Sequence, residues 1–163
     1  MNTIQDYQTV ITLRPKIWQF FINELPLILL CVCLLVIGGL PCMVIGKITL
    51  IIGGILSLCL LYRFIYLRSI RCHIGSEQII CEHGVFQRSV DYIELYRVVD
   101  FAEHQTLMQQ LCGLKSVTIF SMDRSTPRLE LTGMANKHDI VSIVRQRVEL
   151  NKRRKGIYEI TNR

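Results

Sequence analysis

The sequence predicts an α+β membrane protein, with a transmembrane hairpin of two helices followed by a curled antiparallel sheet, or partly open β-barrel, capped by a C-terminal helix. Three observations carry this reading. Residues 25–67 form a run of 43 in which the only charges are Lys47 and Arg63. Beyond it, apolar residues alternate with polar ones at a period of two, between turn signals. Near the end the period lengthens, with Ile140, Ile143, Val144 and Val148 forming one helical stripe. The expected divisions are an interfacial segment at 1–22, the hairpin at 23–67, the sheet domain at 68–155 and a tail at 156–163.

Taken in order, the N-terminal segment ends on the Arg14-Pro15-Lys16 corner, and Trp18, Phe20 and Phe21 follow it. Aromatic rings beside basic residues favour the headgroup level of a bilayer. The 22 uncharged residues 25–46 would make a helix of roughly 33 Å, against roughly 30 Å of hydrocarbon. Residues 48–67 supply a second span of similar size. A single helix through both would be about twice too long, so the chain turns near Gly38, Gly39, Pro41, Gly46 and Lys47, where proline removes a backbone donor and glycine tolerates a reversal. Arg14, Lys16, Arg63, Arg68 and Arg71 flank the open end of the hairpin and Lys47 alone marks the turn. Since basic flanks resist translocation, both termini and the domain are expected on the cytoplasmic side of the inner membrane. Arg63 lies close enough to the boundary to extend its charge to the headgroups.

The chain is 50% hydrophobic with a mean hydropathy of +0.34 and a net charge of +6. Residues 68–163 alone carry 15 Lys plus Arg and 11 Asp plus Glu, an ordinary balance for a small polar domain. There Ile70, Cys72 and Ile74 alternate with Arg71 and His73, a turn follows at Gly75-Ser76-Glu77-Gln78, and residues 79–83 resume an extended run. If Gly75 faces Gln78, Cys72 falls opposite Cys81. A second turn at His83-Gly84 leads into an extended run over 85–90, with further short strands around Tyr92, Ile93 and Leu95 and around Val98, Val99 and Phe101. Leu107, Met108 and Leu111 share a face of a short helix stopped by Gly113, expected to cover one end of the sheet. Strand character returns at Leu114, Val117 and Ile119 and at Leu129 and Leu131. The last helix should start near Asn136, as its cap, with Asp139 adding negative charge in the first turn.

Gly84-Val85-Phe86, then Ile93-Glu94-Leu95-Tyr96-Arg97-Val98-Val99-Asp100 and Gln105-Thr106-Leu107-Met108-Gln109-Gln110-Leu111-Cys112-Gly113, carry a pattern of order and spacing. Pro127-Arg128-Leu129-Glu130-Leu131-Thr132-Gly133 and the final helix continue it. The pattern resembles the YdbS-like family of bacterial pleckstrin-homology-like (PH-like) membrane proteins. The resemblance implies a PH-like barrel with a C-terminal capping helix, held at the cytoplasmic face by the hairpin, without catalysis and with no agreed ligand.

Seven cysteines, an odd number, fit a reducing compartment, and no Cys-x-x-Cys occurs. Cys72, Cys81 and His83 would share one strand face and could be weighed as metal ligands, but Ile70, Ile74 and Ile79 lie on that face too, which makes it a core face. His73, His83, His104 and His138 are scattered, and no phosphate loop, His-Glu-x-x-His helix or nucleophile elbow is present. Catalytic residues, cofactors and metals are therefore not expected.

The one unusual cluster is basic: Arg145, Arg147, Lys152, Arg153, Arg154 and Lys155. Their cations complement the negative end of the helix dipole. They could also touch anionic lipid, at roughly 1 kcal/mol per residue near the surface; without a reading element they do not point to nucleic acid. The expected function is a non-enzymatic, membrane-tethered binding or scaffold module presenting its domain to lipid headgroups, a peptide or another membrane protein, with a homo-oligomer compatible. Two alternatives stand beside it, a small metal or redox protein using Cys72, Cys81 and His83, and an accessory subunit of a transport complex.

Overall fold

The structure is a computed structural model that describes residues 10–39, 45–136 and 139–156. Pro41, Cys42, His138 and residues 157–163 of the expected tail lie outside the described residues.

Helix α1 spans Ile17–Gly38 and α2 spans Ile45–Ser69. Both are long and apolar enough to cross a membrane. The first starts eight residues before Leu25, because the chain is already helical after the Pro15-Lys16 corner, so Trp18, Phe20, Phe21 and Glu24 belong to the helix rather than to its approach. The two pack antiparallel along their length. Phe20 meets Phe64 edge to face at 5.3 Å, and a Cβ on Gly53 would come within 2.9 Å of Leu35 Cδ2, so the backbones approach closely there. Arg63, expected to extend its charge toward the headgroups, also has a protein partner: its Nη1 donates to Glu24 Oε1 at 2.6 Å. Leu29, Val36, Ile51 and Leu58 are left exposed on the outer surface of the pair.

Among the described residues, seven strands form two antiparallel sheets. The first sheet runs β1 (Ile11–Leu13), β2 (Arg71–Ile74), β3 (Gln78–His83), β4 (Ser89–Glu94), and the second runs β5 (Val98–His104), β6 (Leu114–Ser121), β7 (Arg128–Ala135). β1 comes from the segment read as interfacial: Ile11 pairs with Ile74 and Leu13 with Cys72, so the helical hairpin is an insertion between two neighbouring strands. A single 3₁₀ turn, Leu95–Arg97, passes the chain from one sheet to the other. Among the described residues the sheets face one another without closing into a barrel.

Two expectations change, one for a strand and one for the short helix. The run 85–90 is extended only from Ser89, because Gly84 turns the chain at φ 115°, where an added Cβ would lie 1.9 Å from the Gln87 carbonyl oxygen. The short helix α3, Leu107–Leu111, has Thr106 and Gln109 as a reciprocal capping box. Its apolar face, however, points outward: Leu107 is 79% and Leu111 83% exposed, whereas Gln109 is 3% exposed.

Helix α4, Ile140–Arg154, is capped by Asp139, whose carboxylate accepts from the Ser142 amide at 3.2 Å. Asn136 is no cap; its amide donates to the Gly113 carbonyl as β7 ends. Ile140, Val144 and Val148 close a core made with Ile74, Ile79, Ile93, Leu95, Val98, Val117, Ile119 and Leu131. Cys72 and Cys81 pair as the register predicts and are joined in a disulfide within that core.

Candidate functional site at the helix–sheet junction

The domain is fixed to the start of α1 by backbone and side chains together. The Lys16 amide donates to the Gly133 carbonyl at 2.9 Å. Gly133 has φ 70°, and a Cβ there would lie 2.6 Å from Gln19 Cβ and Cγ, so only glycine lets β7 and the first turn of α1 come this close. The Gln109 amide nitrogen donates to Gln19 Oε1 at 2.9 Å and to Ser116 Oγ at 2.8 Å, while its oxygen accepts from the Thr106 amide. Gln19 in turn donates to Asn23 Oδ1. Three elements distant in sequence thus share one chain of amides in a buried setting, where satisfied polar groups specify a single arrangement.

Two clefts flank this weld. The larger, about 440 Å³, lies where α1 and α2 meet the domain and is lined by Phe20, Asn23, Glu24, Tyr62, Arg63, Tyr66, Leu67, Ile70 and Thr132. Its walls are aromatic and apolar around one ion pair, a lining suited to an amphipathic molecule. The smaller, about 290 Å³, runs over the outer face of the second sheet beside Gln19, Ile22 and Asn23, and His104, Ser116, Thr118, Arg128 and Glu130 make it polar.

The basic cluster does not assemble as one patch. Arg147 is 3% exposed, and its Nη1 donates to the carbonyls of Ile74 and Gly75, each at 2.8 Å. Asn151 donates to the Ser76 carbonyl, so these two side chains bolt α4 to the β2–β3 turn. Arg147 is therefore withdrawn from any lipid contact. Its position on the stripe of Ile140, Val144 and Val148 was the available signal. Arg145 lies over the Phe101 ring at 5.9 Å, and Lys155 Nζ sits 3.8 Å from the Tyr96 ring centre. Lys152 is half-buried, and Arg153 and Arg154 are exposed at the helix end.

The imagined metal set fares differently. The two thiols of Cys72 and Cys81 are spent on each other, and His83 Nδ1 lies 3.7 Å from Asp91 Oδ2. Among the described residues no group of three His, Cys, Asp or Glu side chains is placed to hold a metal ion. This disulfide departs from the reducing compartment that the odd cysteine count suggests; the strand register sets the two Cα atoms 4.2 Å apart.

Outside the two apolar helices, two of the described titrating groups depart from ordinary behaviour. The Ser142 amide and hydroxyl hold the Asp139 carboxyl below the usual aspartate range, helped by Lys115 and Arg145. Arg97 is pushed further up by its bond to Tyr96, then by Asp123 and Glu94, and stays charged.

Two facing antiparallel sheets closed by a helix, joined to a pair of helices long and apolar enough to cross a membrane, define an α+β domain of PH-like build. The chain belongs to the bacterial PH domain family, whose model matches residues 22–148. That match takes in most of α1, all of α2, strands β2–β7 and the first half of α4, but neither β1 nor Lys152 to Lys155. No curated protein matches the chain, and no solved structure does.

Proposed function

We propose that this chain is a non-enzymatic integral membrane protein of the YdbS-like group, whose PH-like domain is a binding or scaffold module at the cytoplasmic surface of the inner membrane. The observation that carries the reading is the insertion of the hairpin between β1 and β2, with the Gln19–Gln109 bond closing the junction. An anchor hung on a loose linker would leave the domain free to diffuse; this one gives it a fixed attitude to the bilayer. Exposed Leu29, Val36, Ile51 and Leu58 along both helices support insertion, since such a surface is stable in hydrocarbon and not in water. The basic residues at the open end of the hairpin support the orientation.

The partner is a peptide or membrane protein. Among the described residues β5 has β6 as its one strand neighbour, and its other edge, beside Phe101 and Arg145, can take an added strand. Anionic headgroups are the second ligand class, supported by the exposed Arg153 and Arg154. Proximity labelling of the full chain in its native membrane tests the scaffold reading, with a reproducible membrane-protein neighbour as the expected result. Recovery of the unaltered chain in a detergent-free supernatant overturns the anchor, and turnover of a substrate by purified material overturns the passive role. Replacing Lys152, Arg153, Arg154 and Lys155 together by Gln should weaken binding to anionic vesicles; unchanged binding removes the lipid component.

A further inference from the structure

The loop between β3 and β4 rises beside α2 instead of turning away from it. At its tip Phe86 is 92% exposed, the most exposed aromatic side chain among the described residues, and its ring stacks on Tyr62 of α2 at 6.0 Å with an 8° interplanar angle. The loop is shaped to hold that position. Gly84 turns the chain at a positive φ with no room for a side chain, and Arg88, the nearest charge after the tip, is folded back onto Glu82 at 2.9 Å. What remains at the tip is Val85, Phe86 and Gln87, all uncharged.

Tyr62 fixes the depth. Lys47 marks one boundary of the bilayer, and about 30 Å of hydrocarbon at about 1.5 Å per residue ends roughly 20 residues later, near Leu67. Tyr62 then lies about 7 Å on the lipid side of the cytoplasmic boundary, level with the Glu24–Arg63 pair, and the ring stacked on it lies there too. From the opposite direction, Tyr62 is seven residues before the end of α2, so the loop has climbed about 10 Å along the helix from the start of β2.

We infer that the β3–β4 tip is a lipid-inserted wedge: Phe86 enters the boundary between headgroups and acyl chains of the same bilayer that holds α1 and α2, giving the domain a second point of attachment. The occupant of this surface is the bilayer itself. A phenyl ring at that depth is buried in hydrocarbon, an aromatic stack on Tyr62 fixes its rotation, and the domain cannot swing about the helix ends. The inference rests on the insertion of the two helices, and its experiment separates the two.

The full chain carrying Trp18→Phe and Phe86→Trp is placed in lipid nanodiscs, with Glu77→Trp in the same background as the reference. Glu77 lies in the β2–β3 turn, just beyond the far end of β3, whose six residues set it about 20 Å from the β3–β4 loop. Expected are a blue-shifted emission for the residue-86 reporter and its quenching by lipids brominated near the head of the acyl chain, with neither effect at position 77. An emission at position 86 as red and as unquenched as at position 77, from protein incorporated in the discs, overturns the wedge while leaving the anchor intact. Failure of the chain to incorporate overturns both.

Discussion

The Gln109 side chain donates to the Gln19 carbonyl oxygen at 2.9 Å across ninety positions of sequence, and both residues are buried. This bond joins the domain to α1, and the same side chain caps α3, since the Gln109 oxygen takes the Thr106 amide. Gln109→Ala leaves Gln19 Oε1 and Thr106 N–H without that partner, so a loss of about 1–3 kcal/mol is expected. Thermal unfolding of the detergent-solubilised chain measures it; an unchanged midpoint would show the junction is held elsewhere.

Gly133→Ala and Gly113→Ala form a matched pair. Both glycines have positive φ, 70° and 64°, so each substitution incurs about 1–2 kcal/mol of backbone strain. A Cβ on Gly113 meets nothing within 4 Å, whereas one on Gly133 meets Gln19. Gly133→Ala should be the more damaging, and only it should increase protease cleavage between β1 and α1. Equal effects would mean that Gln19 moves aside freely.

Arg63 and Glu24 should behave as a unit. Arg63→Gln leaves a mostly enclosed carboxylate unpaired, and Glu24→Gln leaves the guanidinium unpaired, so each single change should lower the yield of inserted protein. The double change to Gln removes both charges and should recover much of it. Additive losses in carbonate-resistant membrane fractions would exclude coupling.

Asp139 sets a pH response. Its folded carboxyl titrates below the ordinary value of about 3.9, so the stability it adds is present above that value and is lost as pH falls through the lower folded one. Melting curves from pH 7 to pH 3 should therefore fall less for Asp139→Asn, which keeps the capping oxygen but no titrating charge, than for the natural sequence. Asp139→Ala should be less stable at every pH.

The Cys72–Cys81 bond closes a short loop with a sequence separation of nine, worth about 3 kcal/mol in a chain-entropy picture. Both residues are core members at 2% and 4% exposure, so a reductant reaches the bond only when the first sheet opens. Native alkylation should label Cys112, which is exposed, and spare this pair. Paired replacement by Ala should lower the denaturant midpoint; labelling of Cys72 in the folded chain would contradict the bond.

Residue pattern by itself determined the two apolar helices, the antiparallel strands and their register at Cys72 and Cys81, and the stripe of α4, because each depends on local periodicity and on neighbours a few positions apart. Strand β1, the inward turn of Gln109 with Leu107 and Leu111 left outside, the pairing of Arg63 with Glu24, and the burial of Arg147 were decided only in three dimensions. Three residues at Ile11–Leu13 are too few to announce a strand, and become one because Arg71–Ile74 offers an unpaired edge sixty residues later. Likewise a basic residue in a basic run reads as solvated until the carbonyls of Ile74 and Gly75 converge on it. Partners supplied by distant parts of the chain leave no trace in local spacing, which is why the elements were legible and the junction between them was not.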